Sequence, residues 1–451
     1  MDERKTENQP DVEQENTAEC VPAPVLLGEE GQNKIWKIVG ACALAVLLFL
    51  SGMLTQWLLI EPQMRSLIKV KETIDRDYYQ EITDESFYDA IFDAVNDGLL
   101  DDYSRYMTAD EYAAAVERNA GKNEGLGIVF YTGDEQMRVY RVCGNSPAEK
   151  AGVQAGEFVV GFGKTQQSLT LSENFDQFST FLDGLASGEE FFIKLRGQEG
   201  ERTLQIAKAP YVESYVFYRT KTSAYSFTAE GEVAAQAGGA PLSVLQADTA
   251  YIRLLQFDGN AVEAFDKAMG LFRAEGKKNL VLDLRGNGGG NVEVMRKIAK
   301  YFCKNSKEKN PVAAIADYGE RKKEIRAVAN VYGEYFSADS RICVLADGNS
   351  ASATECLMGA MLSHGTIGYG DICLIERNGV AKTYGKGIMQ TTYLLDVFEK
   401  DAVRLTTAKI FWPNGNCIHG RGIIAADGTK AVIEGDGGDG EIAAALTALF
   451  A

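Results

Sequence analysis

Hydrophobic and polar positions change their spacing several times along this chain. Residues 1–33 mix Glu, Asp, Gln, Asn and Pro with few aromatics, a pattern that cannot bury enough apolar surface to offset ordering, and read as a disordered acidic tail. From Ile38 to Ile60 there are 23 residues without a charge. As a helix that run spans about 34 Å, enough for a bilayer core of about 30 Å. Trp36 and Trp57 stand near its ends like an aromatic belt. A core helix is rarely apolar all round for so long, and a cleaved signal peptide would begin nearer the terminus, so 36–60 reads as one transmembrane helix. Residues 62–118 return to helical spacing with polar faces, as in SLIKVKETIDRDYY and SFYDAIFDAVNDGLL. From 121 to about 209 the pattern shortens to strands and turns. Beyond 210 strands and helices alternate. TAYIRLLQF, KNLVLDL and RICVLAD read as strands, AVEAFDKAMGLFRAEG as an amphipathic helix closed by Gly276, VEVMRKIAKYFC as another helix, and EIAAALTALFA as a terminal one. Such alternation predicts an α/β core.

Composition narrows the options. At 451 residues the chain has room for two or three domains, and its net charge of -18 excludes nucleic acid as a natural partner. Charge does not orient the membrane helix, because Lys34 and Lys37 flank one side while Arg65, Lys69 and Lys71 flank the other. The eight cysteines show no spacing that implies pairs, and buried thiols are as natural an outcome as disulfides.

Three stretches of the α/β part carry candidate chemistry. In NSASATECLMG, Ser352 follows a strand and opens a helix, where unpaired N–H groups and the macrodipole favour a developing oxyanion. The same Ser352-x-x-Glu355 is also a capping box, in which the hydroxyl merely satisfies an orphan N–H. In TYGKGIMQ, Lys386 lies between Gly385 and Gly387, which permits a confined ammonium but equally a surface turn. In NLVLDLRGNGGGN a strand ends at Asp283 and Arg285 and breaks into glycines; no G-K-[ST] follows, so an oxyanion-binding loop fits better than a phosphate cradle.

In this order the three stretches closely resemble the C-terminal processing peptidases, the tail-specific serine proteases of the S41 family, over nearly everything after residue 60. The resemblance implies an α/β, ClpP/crotonase-like catalytic core over 210–451, with Ser352 as nucleophile, Lys386 as general base and Gln390 as a third member. By alignment with the motif, the oxyanion would be held by the backbone N–H groups of Gly289 and Ala353. Asp283 and Arg285 would shape the loop. GLGIVF and SPAEKAGVQAGEFVVGFG resemble a PDZ domain, mainly β, inserted at 121–209. There the backbone of Gly125, Leu126, Gly127 and Ile128 would capture a terminal carboxylate beside a sheet edge that accepts an extended peptide. The alternative for this stretch is a small structural β domain. The resemblance further places the tail inside and the bulk of the chain outside the cell membrane, held by one span, with protein C-terminal tails as substrates; whether it works as a homodimer is left open. The opposing reading is a catalytically silent scaffold that gathers peptide tails.

A metal or cofactor is not expected, since there is no H-E-x-x-H and no C-x-x-C. Of the two histidines, His364 lies 12 residues beyond Ser352, about 18 Å along a helix, and cannot serve it; His419 in CIHGRGI matches a position read as structural. A lysine base needs its pKa lowered by roughly two to three units. No carboxylate is therefore expected within hydrogen-bond reach of Lys386. Gln390 could reach the amine only if the chain bends after Gly387, because on a straight strand their Cα atoms stand about 13 Å apart. The 34-residue separation of Ser352 and Lys386 exceeds the family spacing, and the excess, DICLIERNGVAK, reads as a hairpin insertion. Ser363 stands where many relatives carry aspartate, so no acidic third member is invoked.

Overall fold

Long apolar runs become either one exposed helix or the strands of a covered sheet in the computed structural model, which describes residues 29–130, 136–172, 174–197, 199–227, 233–235, 240–377, 379–396, 400–433 and 438–450. Most of the expected acidic tail, residues 1–28 with Cys20, lies outside the described residues. The first helix, Glu29–Leu59, already includes residues 29–33, which had been assigned to that tail. Its segment Trp36–Gln56 has a mean hydropathy of 2.3 and is long and apolar enough to cross a membrane. Leu47 and Phe49 are 63% and 68% exposed, so no protein core claims this surface. Helices Pro62–Asp77 and Asp84–Gly98 follow. The chain divides into two units, 1–91 and 92–451.

The second unit departs from the helical expectation at once. YSRYMT contains a strand, Arg105–Met107, which pairs with Ala402–Arg404 before the helix Ala109–Asn119 begins behind a complete Thr108/Glu111 capping box. Residues 122–212 form short antiparallel strands and the helices Pro147–Ala151 and Phe175–Asp183. They enclose a core of their own around Val139, Phe162, Phe178, Phe191 and Ile193.

Alternating strands and helices build the remainder as a mixed α/β unit. Among the described residues the largest sheet has eight strands. Its five consecutive parallel members are Thr249–Leu254, Asn279–Asp283, Ile342–Ala346, Ile372–Glu376 and Lys430–Ile433. The middle three are apolar without alternation because both faces are covered, whereas the edge strand Lys430–Ile433 is largely exposed. Ile372 and Leu374 point into the main core, whereas Cys373 and Ile375 pack with the terminal helix Asp439–Phe450. DICLIE is thus a strand of the central sheet rather than a hairpin arm; just beyond it Arg377 and Val380 form an antiparallel bridge. A second sheet contains Ile388–Leu394 and the long strand Ala402–Phe411. Between the sheets lies the helix Ala353–Ser363, buried from Ala353 through Met361. Burial all round explains its uniformly apolar sequence.

Candidate active site

Three loops meet at the carboxyl ends of three adjacent parallel strands, the position where open α/β sheets leave a crevice. The strand Asn279–Asp283 feeds the glycine loop 286–290, Ile342–Ala346 feeds the turn that carries Ser352, and Ile372–Glu376 leads toward the lysine loop 383–387.

The glycine loop rests on buried charge. Asp283 and Arg285 pair at 2.5 Å, Arg285 also binds Glu441 of the terminal helix, and the Tyr251 hydroxyl donates to Asp283 at 2.5 Å. Burial alone would raise the Asp283 carboxyl, but the adjacent Arg285 guanidinium prevails and holds it at about 2. Asn287, fully buried, stitches this loop to its neighbours. Its amide donates to the Leu254 carbonyl, and its own carbonyl accepts the Ala351 N–H and the Thr354 hydroxyl, each at 2.9 Å. Asp347 does the same from the next strand end, accepting the N–H groups of Gly286 and Asn349 at 2.9 and 3.0 Å.

Ser352 has φ +57° and ψ -116°, a backbone conformation that a non-glycine residue adopts only where its surroundings enforce it. Its hydroxyl caps nothing; only the reciprocal half of the capping box is made, from the Ser352 N–H to Glu355 at 3.0 Å. Glu355 is the residue that reading the chain overlooked, having been taken only as a cap partner. Its carboxylate also accepts the N–H groups of Gly385 and Lys386 at 2.8 and 2.9 Å and the Thr383 hydroxyl at 2.5 Å. Burial raises its pKa, against the four hydrogen bonds that favour the carboxylate. One acid thus ties the backbone of Ser352 to the backbone of Lys386. The glycines beside Lys386 are required by close packing. A Cβ on Gly385, φ +93°, would stand 2.8 Å from the Gly422 nitrogen, and one on Gly387 would stand 2.8 Å from that of His419.

Ser352, Ala353, Lys386 and Gln390 line one pocket of about 440 Å³, with Gly288, Gly290, Asp258 and Arg404 on its walls. No acid pairs with the Lys386 amine among the described residues; the only carboxylate bonded to this residue takes its backbone N–H. Burial and then the nearby Arg404 lower the lysine pKa, opposed by Asp101. The amine lies over the Tyr103 ring, 4.3 Å from its centre, and makes no hydrogen bond to Ser352. Gln390 departs from its expected geometry. A strand starts at Ile388 without the anticipated bend, apart from a register shift at Met389/Gln390, and the Gln390 amide donates to Thr406 at 3.2 Å.

The Gly289 donor needs correction as well. Its N–H is spent on the Asn287 side chain at 2.9 Å, because the loop closes on its own asparagine. Among the described residues the N–H groups of Gly288 and Ala353 have no partner in the chain, and both residues line the pocket. His364 caps the serine helix and bonds the Val312 carbonyl at 2.8 Å, and the His419 side chain is exposed outside the pocket. No cluster of His, Cys, Asp and Glu able to hold a metal occurs among the described residues. Gly125, Leu126, Gly127 and Ile128 lie elsewhere, in the 122–212 segment. There the Leu126 and Gly127 carbonyls accept from Ala148 and Cys143, while their N–H groups have no partner among the described residues.

The family model of Peptidase family S41 matches residues 248–426, which span all three loops. That segment is similar to peptidase family S41. The chain is 27% identical over 353 residues to the "Probable CtpA-like serine protease" of Staphylococcus haemolyticus, covering 78% of the chain and 62% of that relative. To the protein of the same description in Staphylococcus saprophyticus it is 28% identical over 366 residues, covering 80% and 64%. It therefore spans somewhat under two thirds of these relatives' length. Among solved structures it is similar to a photosystem II D1 C-terminal processing protease, at 23% identity and a TM-score of 0.44, covering 79% of this chain and 85% of that one.

Proposed function

We propose that the protein is a membrane-anchored serine endopeptidase that cuts protein substrates near their C-termini, with Ser352 as nucleophile and Lys386 as base. One observation carries this reading: among the described residues, a strained serine with an uncommitted hydroxyl shares a pocket with a half-buried lysine whose amine has no acid partner. Ser352 Oγ attacks the peptide carbonyl while Lys386 Nζ takes its proton. The proton passes to the leaving amine, and water then releases the acyl group by the reverse sequence. The N–H groups of Ala353 and Gly288 hold the oxyanion, at the N-terminus of a helix whose dipole favours it. Gln390, once free of Thr406, is a neutral partner for the amine that adds no opposing charge.

The core fits a ClpP/crotonase-like arrangement, and residues 121–209 fit a PDZ-like domain. The short sheet Ile128–Phe130 with Val139–Val142 has an open edge among the described residues, and Phe130 meets Phe175 of the helix Phe175–Asp183. A peptide tail laid on that edge would bring its carboxylate to the free N–H groups of Leu126 and Gly127 and its last apolar side chain to exposed Phe175. The helix Glu29–Leu59 supplies the anchor, with the peptidase outside the cell membrane.

Turnover of a peptide with a free apolar C-terminus should vanish in both Ser352→Ala and Lys386→Ala. Equal turnover in the wild type and both variants would leave only a tail-binding scaffold, the reading favoured by the missing bond between serine and lysine.

A further inference from the structure

The lead-in segment before the strand Arg105–Met107 has no role in the reaction as described, yet it reaches the base. Its turn is closed by the Asp101 side chain on the Tyr103 N–H at 3.1 Å and by the Asp101 carbonyl on the Ser104 N–H at 2.9 Å. The Ser104 hydroxyl accepts the Thr406 N–H at 2.8 Å, which pins the turn to the strand next to Gln390. So placed, the Tyr103 ring presents its face to Lys386 Nζ at 4.3 Å, and its hydroxyl meets that of Tyr384, two residues before Lys386, at 3.1 Å. Tyr103 is thereby attached to the lysine loop at the hydroxyl and to the amine at the ring.

An aromatic face attracts an ammonium through its quadrupole and does nothing comparable for a neutral amine. It can hold Lys386 only in the form that cannot accept a proton. We propose that Tyr103 is a positioning residue for Lys386: its ring, braced by Tyr384, stores the lysine as an ammonium in the resting enzyme, and the amine must leave that face to serve Ser352. This rests on Lys386 being the base, as proposed above. The ring accounts for a feature that the Ser352/Lys386 reading leaves open, the absence of a bond between the two groups.

The other charged groups facing the amine act in both directions. Arg404 on the strand Ala402–Phe411 disfavours the ammonium, and Asp101 on the lead-in turn favours it. Glu355 beneath the loop is committed to four hydrogen bonds, and Asp258 on the pocket wall to Gln256 and the Asn291 N–H. The ring is the contact that can be removed without adding or deleting a formal charge.

The full chain in detergent, labelled with [13Cε]lysine and carrying Ser352→Ala, gives the Lys386 titration directly, assigned by the resonance that Lys386→Arg removes. Tyr103→Leu keeps bulk and loses the π face, so the midpoint should fall by about 0.5 to 1.5 pH units. Tyr103→Phe keeps the face and should leave it in place. With Ser352 restored, the rising limb of kcat/KM against pH should move by the same amount, whereas a purely structural role would lower the plateau and leave the limb where it was. An unmoved or raised midpoint in Tyr103→Leu, or an equal fall in Tyr103→Phe, overturns the proposal. If the leucine variant does not fold, Tyr103→Trp tests the opposite sign, a higher midpoint, and an unchanged one overturns it. Wild-type turnover in Lys386→Ala would instead refute the base assignment, while the titration would still report on the ring.

Discussion

Arg285 and Lys386 stand within neighbouring loops of one fold and are treated in opposite ways. Arg285 is almost wholly buried, and each guanidinium nitrogen is bonded to Asp283 or Glu441. Lys386 is half-buried, its backbone is clamped by Glu355, and its amine has no hydrogen-bond acceptor among the described residues. A cation with every nitrogen bonded to a carboxylate holds loops in place and keeps its proton. A cation left unsatisfied costs stability and keeps a proton that can be moved.

Breaking the saturated cluster should have the largest effect on stability. Arg285→Met leaves buried Asp283 without its paired guanidinium and should cost about 3–5 kcal/mol in chemical denaturation, whereas Lys386→Met should change stability by less than about 1 kcal/mol while abolishing turnover. Similar losses in the two variants would erase the contrast. Glu355 sits between these extremes, since it is both saturated and adjacent to the reaction. Glu355→Gln turns an amide donor toward N–H groups that need an acceptor, and kcat should fall about 100-fold through a displaced serine and lysine, with roughly 1–3 kcal/mol lost in folding. Retained kcat in a folded variant would reduce Glu355 to a cap.

The two sites should also differ in their response to pH. Asp283, held at about 2 by Arg285, lies below its unfolded value of about 3.8. Its contribution to stability is therefore complete above roughly pH 4 and lost as the pH falls toward 2, on the order of 2 kcal/mol by acid titration of unfolding. Lys386 acts on activity. Its lowered pKa means that kcat/KM rises with pH toward a midpoint below the ordinary lysine value, and this rise should be absent in Lys386→Ala. The smallest effect belongs to His419→Gln, which should leave kcat and stability within error because the ring lies outside the pocket.

Much of this arrangement was legible in the chain. Runs such as NLVLDL and RICVLAD read as strands, and AVEAFDKAMGLFRAEG as a helix stopped by a glycine that takes φ +64°, since periodicity reports burial directly. The errors occur where partners are distant. DICLIE was misread as a hairpin arm because a short apolar strand cannot announce that it lies between two others in a sheet. YSRYMT hid a strand because its pairing partner is some 300 residues away. Gly289 was chosen as a donor although its N–H belongs to Asn287, a local turn bond that glycine spacing does not reveal. Glu355 passed as a helix cap because three of the four groups that it binds lie about thirty residues further on.

By itself the order of residues determined which segments are apolar on one face, on all faces or on none, and where glycine permits the backbone to turn; these are properties of neighbours, and short-range sterics and solvation settle them. Tertiary structure decided which carboxylates meet which cations. Only folding brings residues 101–103, 283–290, 352–355 and 383–390 to the ends of three strands, and only there does the loss of water make it matter whether an amine has a partner.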